Sequence, residues 1–126
     1  MKINVPISIG ELIDKITILE IKSIRIKDSF KLKEVKKELK LLKNTLKMNN
    51  IKISLIKSNY ENLKKINSKL WNIENKKRKA EKNKVFDHKF INLARKVYLF
   101  NDKRAKNKLI INQITNSEIV EVKSYE

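Results

Sequence analysis

In 126 residues the chain has one proline, Pro6, and one glycine, Gly10, and from Glu11 to its end it has neither. Tight turns and strand bulges draw on these two residues, whereas a helix interior excludes them. So few breakers suit long helices joined by short connections. The apolar residues recur in steps of three and four, the helical period. The expectation is an all-α protein, a single helical domain over residues 1–126, long enough to bury one ordinary core but not two.

Local signals divide the chain. Residues 2–5, KINV, read as extended and stop at Pro6, which biases the preceding residue away from helix. In ISIGEL, Ser8 is an N-cap, Glu11 completes a capping box, and Ile7 and Leu12 hold the staple positions. Helix 1 is expected from Ile9 to Ile26, apolar over so much of its girth that it packs on more than one side. Asp28 or Ser29 caps helix 2, which runs to Met48 with a seam of Leu32, Val35, Leu39, Leu42 and Leu46. After NNIKIS, helix 3 carries Ile56, Leu63, Ile66, Leu70 and Ile73 in matching register to Lys82. Two such seams across a short connection predict one long antiparallel hairpin of helices 2 and 3, and a homodimer is an alternative use of them. Asp87 caps helix 4, from His88 to Ile114. TNS ends it, and EIVEVKSY alternates like a short strand placed to pair with KINV. The expected fold is a helical bundle with a long hairpin and extended N- and C-terminal segments.

On a wheel of about 100° per residue, Phe90, Ala94 and Val97 mark the inward face of helix 4. Asn101, Arg104 and Lys108 continue that line, with Tyr98 beside it. Glu20 falls on the axis through Ile9, Ile13 and Ile16, and Trp71 and Glu74 lie at the edge of the helix 3 seam. Burying a lone charge costs several kcal/mol, so these groups must meet each other or a ligand. One reading is internal pairing, Glu20 with Arg104 or Lys108, fixing register. The other is a half-open pocket in which Arg104 and Lys108 hold an anionic small molecule or a protein partner and Asn101 orients it.

The formal charge of +17 permits phosphate contacts, and a nucleic-acid-binding accessory role for the lysine-rich faces of helices 2 and 3 is a second reading. Yet the surplus is nearly all lysine in a chain rich in Asn and Ile, the spectrum that AT-rich codon usage produces. Without cysteine there are no disulfides or thiolate metal sites. MKINVPISIG lacks the apolar run of a signal peptide and no stretch approaches a membrane span, so a cytoplasmic protein is the default. His88 reads as a solvated first-turn residue and Gly10 as a close-packing position. Asp14 and Lys15 show no spacing for acid–base work, and no metal constellation, glycine-rich phosphate loop or cofactor motif is present.

VPISIGELIDKITILEIK, LWNIE, VYLFNDKRAKNKLIIN and SEIVEVKSY, in that order, resemble a family of uncharacterised small proteins of bacteria and their viruses. That resemblance covers nearly the whole chain. It implies recurring polar positions at Glu11, Asp14, Lys15, Glu20, Glu74, Asn101, Asp102, Arg104 and Lys108, and a place beside glycan assembly. ELIDKI opening a long helix is similar to the first helix of the helical chorismate mutases, which implies an enzyme on an acidic metabolite. The match ends after a few residues, and the other arginines do not fall at that family's spacing.

Overall fold

A computed structural model describes residues 1–125. Four helices carry the chain: α1 (Ile9–Arg25), α2 (Ser29–Met48), α3 (Lys57–Lys82) and α4 (His88–Ile114), with a 3₁₀ turn at Ile53–Ile56 ahead of α3. The starts of α1, α2 and α4 follow from capping residues, whereas α3 grows out of the 3₁₀ turn without a side-chain cap. Ser8 Oγ accepts from the Glu11 amide at 3.0 Å, Asp28 from Lys31 at 2.8 Å and Asp87 from Phe90 at 3.2 Å. The reciprocal half of the capping box does not form at α1, because the Glu11 carboxylate turns to Lys108 instead.

The ends of α2, α3 and α4 need a left-handed residue that a chain without late glycines must find elsewhere. Asn50, Lys84 and Asn116 supply it, with φ of 55°, 56° and 54°. The next residues, Ile51, Val85 and Ser117, then donate to the carbonyls of Leu46, Ala80 and Asn112 at 3.1, 2.9 and 2.9 Å.

The core gathers on α1: Leu12, Ile13 and Ile16 meet Leu46 of α2, Ile56, Leu63 of α3 and Ile111 of α4. Each such side chain contributes about 1.5–3 kcal/mol by leaving water. α1 packs against all three other helices, as its apolar girth requires, while the backbone of α2 comes within 8 Å of α1 alone. The long hairpin therefore is not α2 with α3. It is α3 with α4, the pair with the most extensive contact, where the Lys69 ammonium lies 5.3 Å from the centre of the Phe100 ring and Asn62, Lys65 and Asn107 line one groove. The reason is that residues 49–56 are no tight turn. They bury Ile56 and swing α3 away, and the seam of α2 is used on α1, with Leu39 and Leu42 beside the core.

Two further expectations change. Among the described residues there is no strand, and EIVEVKSY does not pair with KINV. Its alternation is used the other way round: Glu121 and Lys123 reach the body of the protein while Val122 points outward. We call residues 117–125 the strap. The line Phe90–Ala94–Val97 is also less buried than its pattern implied, Ala94 being exposed and the others half-buried. α1 covers only the C-terminal part of α4, so the outer half of the hairpin projects from the body and leaves Phe86, Ile91 and Tyr98 about half exposed.

Candidate functional site

Where α1 crosses α4, the chain brings its two ends together. Gly10 lets the helices touch: a Cβ there would sit 2.5 Å from the Lys108 carbonyl oxygen and 2.9 Å from Asn112 Oδ1. The first amides of α1, orphaned in any helix, are taken by side chains. Ile9 donates to Ser117 Oγ at 3.1 Å, Gly10 to the buried Asn112 Oδ1 at 2.6 Å, and Glu11 to Ser8.

One turn further, Asp14 is 1% exposed and holds a two-pronged pair with Arg104: Nε donates to Oδ1 at 2.9 Å and Nη2 to Oδ2 at 2.5 Å. Asn67 of α3 donates to the same carboxylate at 2.9 Å and to Thr17 Oγ1 at 3.0 Å, so three helices share the knot. Lys108 sits next to it, 2.5 Å from Glu11 and 2.9 Å from Glu121 of the strap, with Lys15 3.8 Å from Glu11. Arg104, Lys108 and Lys15 thus balance Asp14, Glu11 and Glu121. Among the described residues no buried polar side-chain atom lacks a partner.

The electrostatics follow from these contacts. The Asp14 hydrogen bond holds the Arg104 guanidinium above its ordinary pKa, against burial, which pulls it down. Burial also lowers Lys108, but the hydrogen bonds to Glu11 and Glu121 outweigh it and the net shift is upward. Burial raises Glu121, and hydrogen bonding with Lys108 and Glu11 together with the Lys108 charge outweighs it, leaving the carboxylate more acidic than usual.

The expected site residues divide into three places. Asn101, Arg104 and Lys108 come together on a groove of about 840 Å³ between α4 and the strap, with Asp102, Glu121 and Lys123 on its walls. Trp71 and Glu74 line a separate hollow of about 350 Å³ with Ile18 and Leu70, and the same Arg104 lines it too. Glu20 is not the partner of Arg104 or Lys108. It accepts from the Tyr60 hydroxyl and lies 3.7 Å from Lys64 and 3.9 Å from Lys43, and burial with this hydrogen bond pushes the Tyr60 phenol far up. Tyr98 is 54% exposed and borders neither cavity.

The acid that Arg104 requires is Asp14, with Asn67, Asn112 and Glu121 as further members that residue patterns alone left out. A signal existed. Gly10, Asp14 and Thr17 recur at helical spacing and form a stripe of small and short polar residues, the side on which another helix can come close. The family resemblance also placed polar positions at Glu11 and Asp14.

Chemically, the arrangement offers a guanidinium fixed by Asp14, with its Nη1 side on the Asn101 amide oxygen, and an ammonium held by two carboxylates. Among the described residues no group of histidine and carboxylate side chains is placed to hold a metal ion, and no helix is long and apolar enough to cross a membrane. These features define a class: four-helix proteins whose first helix is socketed, through buried ion pairs, onto the end of the last. The chain belongs to the family described as Family of unknown function (DUF6165), whose model matches residues 1–126. No curated protein and no solved structure matches it.

Proposed function

We propose that the protein is a small binding protein that holds an anionic molecule in the groove between α4 and the strap. The observation that carries this is the Nη1 side of the Arg104 guanidinium, which the Asp14 pair leaves unused. Asp14 occupies Nε and Nη2, so Nη1 is left to Asn101 Oδ1 at 3.3 Å, with the side chain 30% exposed at the groove wall. A guanidinium already locked by a buried carboxylate needs little further ordering to receive an oxyanion. Lys106, Lys108 and Lys123 line the same groove. Binding is favoured over proton transfer because Glu11, Asp14, Asp102 and Glu121 each face a lysine or arginine already.

The test leaves the knot intact. Thermal unfolding and calorimetry are run with inorganic phosphate, pyrophosphate and citrate on the wild type and on Asn101→Leu, which removes the amide beside Nη1 without touching Asp14. At least one anion is expected to stabilise the wild type saturably, and its affinity to fall about tenfold in the variant, the loss of roughly one charge-assisted hydrogen bond. A groove that binds none of them, or binds them equally in both proteins, rejects the reading.

A further inference from the structure

The other flank of α4 carries a second basic concavity, and we propose that it binds single-stranded nucleic acid. It is a groove of about 260 Å³ between the hairpin helices, floored by Ile66 and Phe100 and lined by Lys65, Lys69, Lys103 and Lys106. Among the described residues none of these four lysines has a carboxylate within 4.0 Å, whereas the neighbouring Lys64 reaches Glu20 at 3.7 Å. The Lys69 and Lys103 ammoniums instead lie 5.3 and 5.1 Å from the centroid of the Phe100 ring. Codon drift spreads lysine over a surface; it does not by itself exclude acids from one concave site and put an aromatic ring at its floor.

The arrangement matches what an unpaired strand presents. Concave charge over a low-dielectric floor focuses the field on an incoming phosphate. Lys65 and Lys69 stand one turn apart on α3, about 6 Å along the axis, close to the step between phosphates of an extended strand. Lys103 and Lys106 form the facing row on α4. Phe100 then offers a ring for a base to stack on once the lysines turn to phosphates, and Asn62 and Asn107 at one end offer amides to a base edge. A duplex hides its bases and has no use for that floor. This inference goes beyond the anion groove: Lys106 borders both, while Asn101 and Arg104 line only the first of the two.

The experiment is fluorescence anisotropy with labelled oligothymidylate and oligouridylate over a salt series, on proteins whose helicity is checked by circular dichroism. Lys65→Gln/Lys69→Gln/Lys103→Gln is compared with Lys33→Gln/Lys37→Gln/Lys40→Gln on α2, which removes the same charge elsewhere. With four lysine contacts the wild type is expected to show a log–log salt slope of about −3. The groove variant should lose about two units of that slope and at least tenfold in affinity, and the α2 variant less than about twofold. Phe100→Leu should weaken the oligonucleotide about tenfold yet leave inorganic polyphosphate unchanged, and Phe100→Tyr should restore binding. Equal loss in the two lysine variants, no binding at low ionic strength, preference for duplex, or polyphosphate or an acidic peptide depending on Phe100 in the same way would each overturn it.

Discussion

Gly10 is the residue with least freedom to change. The atoms facing its missing side chain include a backbone carbonyl, which cannot rotate away, so Gly10→Ala must push α1 off α4. We expect a loss of about 1–3 kcal/mol in urea unfolding, the usual range for overpacking. Asp14 and Arg104 are coupled differently. Arg104→Leu leaves a nearly inaccessible carboxylate facing apolar carbon, and should cost about 3–5 kcal/mol. Asp14→Leu added to Arg104→Leu should recover most of that loss, because an apolar pair of similar size needs no desolvation. A double variant as unstable as the single one would show that Asn67 and Asn101, not the pair, carry the energy. That Arg104 needs an acid was legible in the sequence; which acid was not. Glu20 had the better place on the wheel of α1, but helix rotation is set by where Gly10 allows contact, and this turns Asp14 toward α4.

Capping chemistry made the helices readable. Ser8, Asp28 and Asp87 mark the starts within a residue of where they fall, and NNIKIS and TNS mark the ends of α2 and α4, because left-handed positions without glycine favour asparagine. Lys84 is the exception among them, a branched-free but full-sized side chain at φ 56°. Lys84→Gly is therefore expected to stabilise the hairpin by about 0.5–1 kcal/mol despite the added freedom of the unfolded chain, read as a higher urea midpoint at unchanged slope. The strap answers to pH. Glu121 is more acidic than its ordinary 4.5, so its contribution is complete above that value and is lost as pH falls through the lower folded one. Lys108 is shifted the opposite way from 10.5; its contribution is complete below that value and lost as pH rises through the higher folded one. The unfolding midpoint of the wild type should thus fall more steeply on acidification than that of Glu121→Gln, and a parallel fall in both would remove Glu121 from the account. Alternation in EIVEVKSY was visible in the sequence, but its use was not: period two says that sides differ, not which side turns inward.

At the scale of the molecule, helix content follows from the near absence of glycine and proline, and helix pairing does not. Seams on α2 and α3 are equally suited to each other and to α1, and the choice rests on the direction in which residues 49–56 send the chain. The result is a body built on α1 and an arm made of the outer parts of α3 and α4. Backbone amides of residues 88–100 should therefore exchange with solvent faster than those of residues 104–112, and a uniform exchange profile along α4 would contradict the arm. The socket at Gly10 has a further consequence. A ribosome releases α1 well before Asn112 and Ser117, which receive its opening amides from 102 and 108 residues further along the chain. Until they emerge the nascent chain carries its principal apolar helix with a bare leading edge, and the socket closes only once they have followed.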